Sequence, residues 1–175
     1  MTERPRRLAV GLAALGRPGY ITLDHDEALG ADRSVEAMRE RTGQVLDAAY
    51  AAGVRHVDAA RSYGRAEEFL ASWLDERERR GDGVDDVVVS SKWGYRYVGS
   101  WRVDAPVHEI KEHSADAFSE QWAQTRALLG SRVSLYQVHS LTPDSPALGD
   151  EALLGLLADL RDSGVRVGLS TSGPA

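Results

Sequence analysis

The sequence has no cysteine, which excludes disulfides, thiolate zinc sites and a cysteine nucleophile together. It lacks any long apolar run. Residues 8–15 and 152–157 are the longest, far short of the ~20 residues that span a bilayer as a helix. It also lacks a positive excess: 21 Lys+Arg against 27 Asp+Glu leave a formal net charge of −6. Non-specific binding to nucleic acid or to an anionic membrane needs clustered positive charge, so neither partner is expected. No linker, repeat or low-complexity tract divides the chain, and residues 1–175 read as a single domain. At 42% apolar and 27% charged residues, the composition is that of an ordinary globular protein. Such a chain is long enough to bury roughly 70% of its unfolded surface.

Arg4, Arg6 and Arg7 ahead of residues 8–15 imitate a secretory signal. The Gly16-Arg17-Pro18-Gly19 that follows reads as a turn rather than a small-residue cleavage site. We read a first buried strand behind a basic terminus, in a cytoplasmic protein.

What is present is alternation. Short apolar, β-branched runs lie at residues 8–12, 54–58, 86–92, 133–139 and 165–170. Between them run helical stripes: Val35, Met38, Val45, Leu46 and Ala49; then Phe69, Leu70, Trp73 and Leu74. A third stripe is Phe118, Trp122, Thr125, Leu128 and Leu129, opened by Ser114 as N-cap with Asp116 in the first turn. The fourth is Leu153, Leu154, Leu156, Leu157 and Leu160, and Gly53, Gly130 and Gly164 stand where left-handed caps are wanted. This pattern means βαβ units and a parallel sheet, either doubly wound or closed as a barrel. A dinucleotide-binding doubly wound fold would carry Gly-x-Gly-x-x-Gly after its first strand. Residues 11–16 lack that spacing, and Arg17-Pro18 replaces the Lys-Ser/Thr of a P-loop. The expected fold is therefore α/β of the (β/α)8 TIM-barrel type, an incomplete barrel of about five βα units.

Asp58 ends the second strand and Tyr63 follows five residues later; Lys92 ends the third strand and His139 the fourth. Taken singly, each has a plain structural explanation: a turn cap, a packed ring, a solvated ammonium, a satisfied core imidazole. In a barrel, however, all strand C-termini open onto one active face, and this set makes a proton donor with its supports. A tyrosine with pKa about 10 is a poor acid at neutral pH. A neighbouring ammonium stabilises its phenolate, a carboxylate keeps that ammonium charged, and a histidine orients a carbonyl oxygen or shares the proton. The set suits delivery of a proton to a carbonyl oxygen while something else delivers hydride to carbon.

The chain resembles the aldo-keto reductases. The resemblance rests on Val57-Asp58-Ala59-Ala60-Arg61-Ser62-Tyr63-Gly64 with Glu67, Val89-Ser90-Ser91-Lys92-Trp93, Ser134-Leu135-Tyr136-Gln137-Val138-His139 and Gly164-Val165-Arg166-Val167-Gly168-Leu169-Ser170, in the family's order. It implies a TIM barrel that reduces aldehydes and ketones with NADPH, usually without metal. Asp58, Tyr63, Lys92 and His139 then correspond to the catalytic tetrad, with Tyr63 as general acid. Ser170 corresponds to a contact to the nicotinamide amide. Thr171 stands where the family commonly has Asn, Ser140 where Trp is common, and the first strand's Gly-rich signature is altered. Only five strand–helix steps are visible, whereas a whole barrel takes about 250 residues. By resemblance, the missing strands would carry the nicotinamide-stacking aromatic and the phosphate-binding basic residues. The expectation is the N-terminal portion of a reductase, with its first and fifth strands as open edges. Rival readings are a regulatory or binding protein on the same barrel, and an inactive half-barrel.

Three further features stand beside the resemblance. His108 and His113 superficially suggest a zinc helix, but they are five apart where four are needed to share a face. Residues 93–101, with Trp93, Tyr95, Arg96, Tyr97 and Trp101, form an aromatic loop that walls the substrate pocket or packs on itself. The first loop, with Arg17, Tyr20 and His25, has the same two readings. Finally, strand alternation points His56, Ser90 and Gln137 the same way as Asp58, Lys92 and His139, one step deeper. There they would form a hydrogen-bonded layer supporting Lys92 and His139, or an ordinary satisfied polar set.

Overall fold

The five β-branched runs each become a strand of one parallel sheet. In the computed structural model, which describes residues 8–19 and 31–171, β1 (Ala9–Gly11) leads to α1 (Val35–Ala51), β2 (His56–Asp58) and α2 (Ala66–Arg80). Then come β3 (Val88–Trp93), the hairpin strands β4 (Tyr95–Tyr97) and β5 (Glu109–Lys111), and α3 (Ala115–Leu129). The series ends with β6 (Val133–Val138), α4 (Glu151–Asp162) and β7 (Arg166–Leu169). The sheet order is β1-β2-β3-β6-β7, with β4 and β5 paired separately and antiparallel. Parallel strands that follow chain order without reversal are singly wound, as in a barrel; a doubly wound sheet reverses at a switch point. Arg4, Arg6, Arg7, Tyr20 and His25 lie outside the described residues.

Register sorts the side chains into two layers. Asp58 is paired with Ser90 and Lys92 with Gln137, so His56, Asp58, Ser90, Lys92 and Gln137 share the inner face. Val57, Val89, Ser91, Trp93, Tyr136 and Val138 take the outer face, where they are buried under Phe69, Leu70, Phe118 and Leu129 of the covering helices. The apolar core therefore lies between sheet and helices, and the polar groups sit inside the curve.

The helices follow their stripes with three corrections. In α1 the buried line is Met38, Thr42 and Leu46, whereas Val45 is 36% exposed. Thr42 serves as an apolar filler because its hydroxyl donates to the Met38 carbonyl at 2.8 Å. In α4, Leu153, Leu157 and Leu160 are buried and Leu154 is not. Ser114 caps α3 as read, accepting from the Ala117 N–H at 3.1 Å. Gly130, with φ 60° and ψ −134°, enters a 3-10 turn instead of a left-handed helical cap. The first strand is less buried than its run of apolar residues suggests, because it is an edge: Leu8 is 70% exposed.

Candidate active site

The C-terminal ends of β2, β3 and β6 bring Asp58, Lys92 and His139 together, and the turn after β2 adds Tyr63. Lys92 is buried, pairs with Asp58 through Nζ, and donates to the Ala59 carbonyl at 2.9 Å. Its ammonium lies 5.0 Å from the centre of the Tyr63 ring. Burial pulls the Lys92 pKa down, and the Asp58 carboxylate opposes that fall. The Tyr63 hydroxyl is 3.5 Å from His139 Nε2, and Ser62 Oγ is 3.3 Å from His139 Nδ1. With Ser62 donating to Nδ1, the neutral ring carries its hydrogen on Nε2, facing the phenol. Burial first, and the Lys92 charge second, push the His139 pKa down to about 4.

The deeper polar layer is built, and its target is Asp58. Ser90 Oγ donates to Asp58 Oδ1 at 2.7 Å, and Gln137 Nε2 reaches the same oxygen at 3.5 Å. The single hydroxyl hydrogen of Ser90 is committed there, so His56 Nε2 donates to Ser90 Oγ, at 2.8 Å. This chain orients the carboxylate, which in turn holds Lys92. Its hydrogen bonds do not reach His139. That residue is held by Ser62 and by His113, whose Nε2 donates to the His139 carbonyl at 2.9 Å. His113 Nδ1 accepts from Ser145 Oγ at 2.7 Å, so the imidazole ties the hairpin side to the loop after β6. The stretch that only superficially suggested a zinc helix contains strand β5, and His113 supports the His139 backbone.

Two of the expected wall residues have defined partners. Trp93 is fully buried on the outer face, edge-on to Phe118 and His113, because it alternates with the inward Lys92. Trp101 packs edge-on against Phe69 of α2 and donates its indole N–H to the Arg33 carbonyl at 2.8 Å. The Trp93 side chain therefore stands apart from the rim of Tyr63 and His139. Tyr95 does flank it, 5.1 Å from the His139 ring. Tyr20, the remaining expected wall residue, lies outside the described residues.

At the end of β7, Ser170 Oγ accepts from the Ser140 N–H at 3.0 Å, which leaves its own hydrogen to donate outward. Ser140 follows His139 in a left-handed conformation (φ 49°), and this turn aims its N–H at Ser170. Thr171 is exposed beside it. Among the described residues, no three His, Cys, Asp or Glu side chains cluster to hold a metal. No helix among them is long and apolar enough to cross a membrane.

The family model for the aldo/keto reductases matches residues 8–174. This chain belongs to the aldo/keto reductase family. Aldo-keto reductase str7 of Strobilurus tenacellus is 29% identical over 157 residues, covering 89% of this chain and 38% of the relative. The crystal structure of PA4992 from Pseudomonas aeruginosa, assigned as an aldo-keto reductase, superposes with a TM-score of 0.65 at 22% identity. It covers 93% of this chain and 54% of that one. A second P. aeruginosa structure of the same assignment gives 0.64 at 24%, over 93% and 53%. The chain thus spans about half or less of the relatives it matches, as an incomplete barrel does. Ser62 and His113 carry no functional signal in the sequence. Both act through contacts made across the fold, which no local pattern announces.

Proposed function

We propose that this chain carries the proton-donating half of an NADPH-dependent oxidoreductase that reduces an aldehyde or ketone. Tyr63 is the general acid, Lys92 and Asp58 make its phenolate accessible, and the neutral His139 N–H orients the carbonyl oxygen. The observation that carries this reading is the Tyr63 hydroxyl, 3.5 Å from His139 Nε2, with the Lys92–Asp58 ion pair against its ring. Ser170 fits the nicotinamide end of the cofactor: its spare hydroxyl hydrogen suits an amide carbonyl, with Thr171 and Asp58 beside the same rim. When bound, the dinucleotide supplies hydride to the carbonyl carbon. The protein's part is to hold the carbonyl oxygen between Tyr63 and His139 and to place a proton on it. The reading takes residues 1–175 as one domain acting on a small-molecule carbonyl in the cytoplasm, a reducing compartment that a chain without cysteine suits.

The test is NADPH consumption with a panel of aldehydes and ketones, alongside NADPH fluorescence titration. Tyr63→Phe should cut turnover by roughly 10²–10⁴-fold while leaving cofactor affinity within about twofold. Saturable NADPH binding without turnover would favour a binding or regulatory protein. No binding would favour an inactive half-barrel, the reading that the two one-sided edge strands among the described residues support.

A further inference from the structure

Arg17 lies in the turn after β1 and is 6% exposed, unusual for a guanidinium. Its Nη1 donates to the Ser62 carbonyl at 3.3 Å and to Glu109 Oε2 of β5 at 3.1 Å. Its guanidinium carbon is 5.8 Å from the centre of the Tyr63 ring. The turn that carries it is welded to the turn that carries Tyr63. The Gly16 carbonyl accepts from the Arg65 N–H at 2.7 Å. A Cβ on Gly16 would stand 2.2 Å from the Tyr63 carbonyl, and one on Gly64 would stand 2.9 Å from the Arg17 Cβ.

We propose that Arg17 is a positioning residue for the proton donor. It clamps the Ser62–Tyr63 backbone to the β4–β5 hairpin through Glu109 and places a second cation beside the phenol, which Glu109 attenuates. The inference rests on Tyr63 as the acid of the reaction. Lys92, paired with Asp58, and His139 also face Tyr63. An arginine is charged at every accessible pH, so its contribution to stabilising a phenolate is constant, and Glu109 contributes with the opposite sign. The field of both groups reaches this rim. At His139 the main effects are burial and Lys92, but Glu109 raises the pKa and Arg17 lowers it.

The experiment is phenolate titration at 295 nm on the full chain. The Tyr63 step is isolated by subtracting Tyr63→Phe in each background, and circular dichroism is followed at every pH. Arg17→Met should raise the Tyr63 ionisation midpoint by about one pH unit, and Glu109→Gln should lower it by about half a unit. Unchanged midpoints, or both variants moving the same way, would overturn the proposal. If Arg17→Met fails to fold, Glu109→Gln decides: a fall supports the proposal, and no movement or a rise sinks it. The titration needs neither cofactor nor turnover. Opposed shifts in a chain that reduces nothing would leave Arg17's role standing and remove the reductase reading; turnover with unmoved midpoints would do the reverse.

Discussion

His139 is 8% exposed, and its imidazole titrates at about 4 because burial and the nearby ammonium both disfavour a second proton. At neutral pH its ring is therefore uncharged, which suits the proposed role of Tyr63 as the acid. The sign of the pH effect follows. The folded pKa lies below the ordinary value of about 6.5, so the stabilisation is present above pH 6.5 and is lost as pH falls toward 4. His113, also lowered by burial, adds in the same direction. Nitrogen NMR should show His139 neutral at pH 5.5, and the urea midpoint should drop between pH 7 and pH 5. A charged His139 ring at pH 6 would contradict this. Residue-scale legibility was uneven. The alternation that put His56, Ser90 and Gln137 beneath the tetrad also turns Trp93 outward, and only the first consequence was drawn from the sequence.

At the scale of elements, the two βα turns after β1 and β2 form one unit. Gly16 packs against the Tyr63 carbonyl and Ala66, where a Cβ would be 2.2 and 2.5 Å from its neighbours; Gly11, five residues earlier at the end of β1, has open space around it. Gly16→Ala should therefore destabilise the protein by about 2–3 kcal/mol or more through overpacking against backbone. Gly11→Ala should stay within about 1 kcal/mol of the parent. Urea unfolding of the pair measures the difference, and equal midpoints would show that the turns are not rigidly joined. Element types and positions were readable because each strand and helix carries its own period. The hairpin of β4 and β5 was not: it is three residues a side, and its pairing depends on partners twelve or more positions apart.

For the whole molecule, the described sheet ends in two strands with a partner on one side only, β1 on β2 and β7 on β6. Leu8 and Leu169 are 70% and 47% exposed there. Unpaired strand edges with apolar side chains invite pairing between chains. The 175-residue chain should show concentration-dependent association by sedimentation velocity, and Leu169→Lys should reduce it. A monomer at all concentrations would mean the edges are protected.

By itself the sequence determined the five parallel strands with their four helices, the α/β architecture and the four rim residues Asp58, Tyr63, Lys92 and His139. The elements follow from their periods, Asp58, Lys92 and His139 from strand ends, and Tyr63 from the motif just after β2; such signals lie within a few consecutive residues. Only the tertiary structure decided what supports them. Ser62 meets His139 across 77 residues and Arg17 meets Glu109 across 92. Contacts of that span are set by how turns close over the sheet. A turn has no period, so the side chains it brings together are known only once the chain has folded.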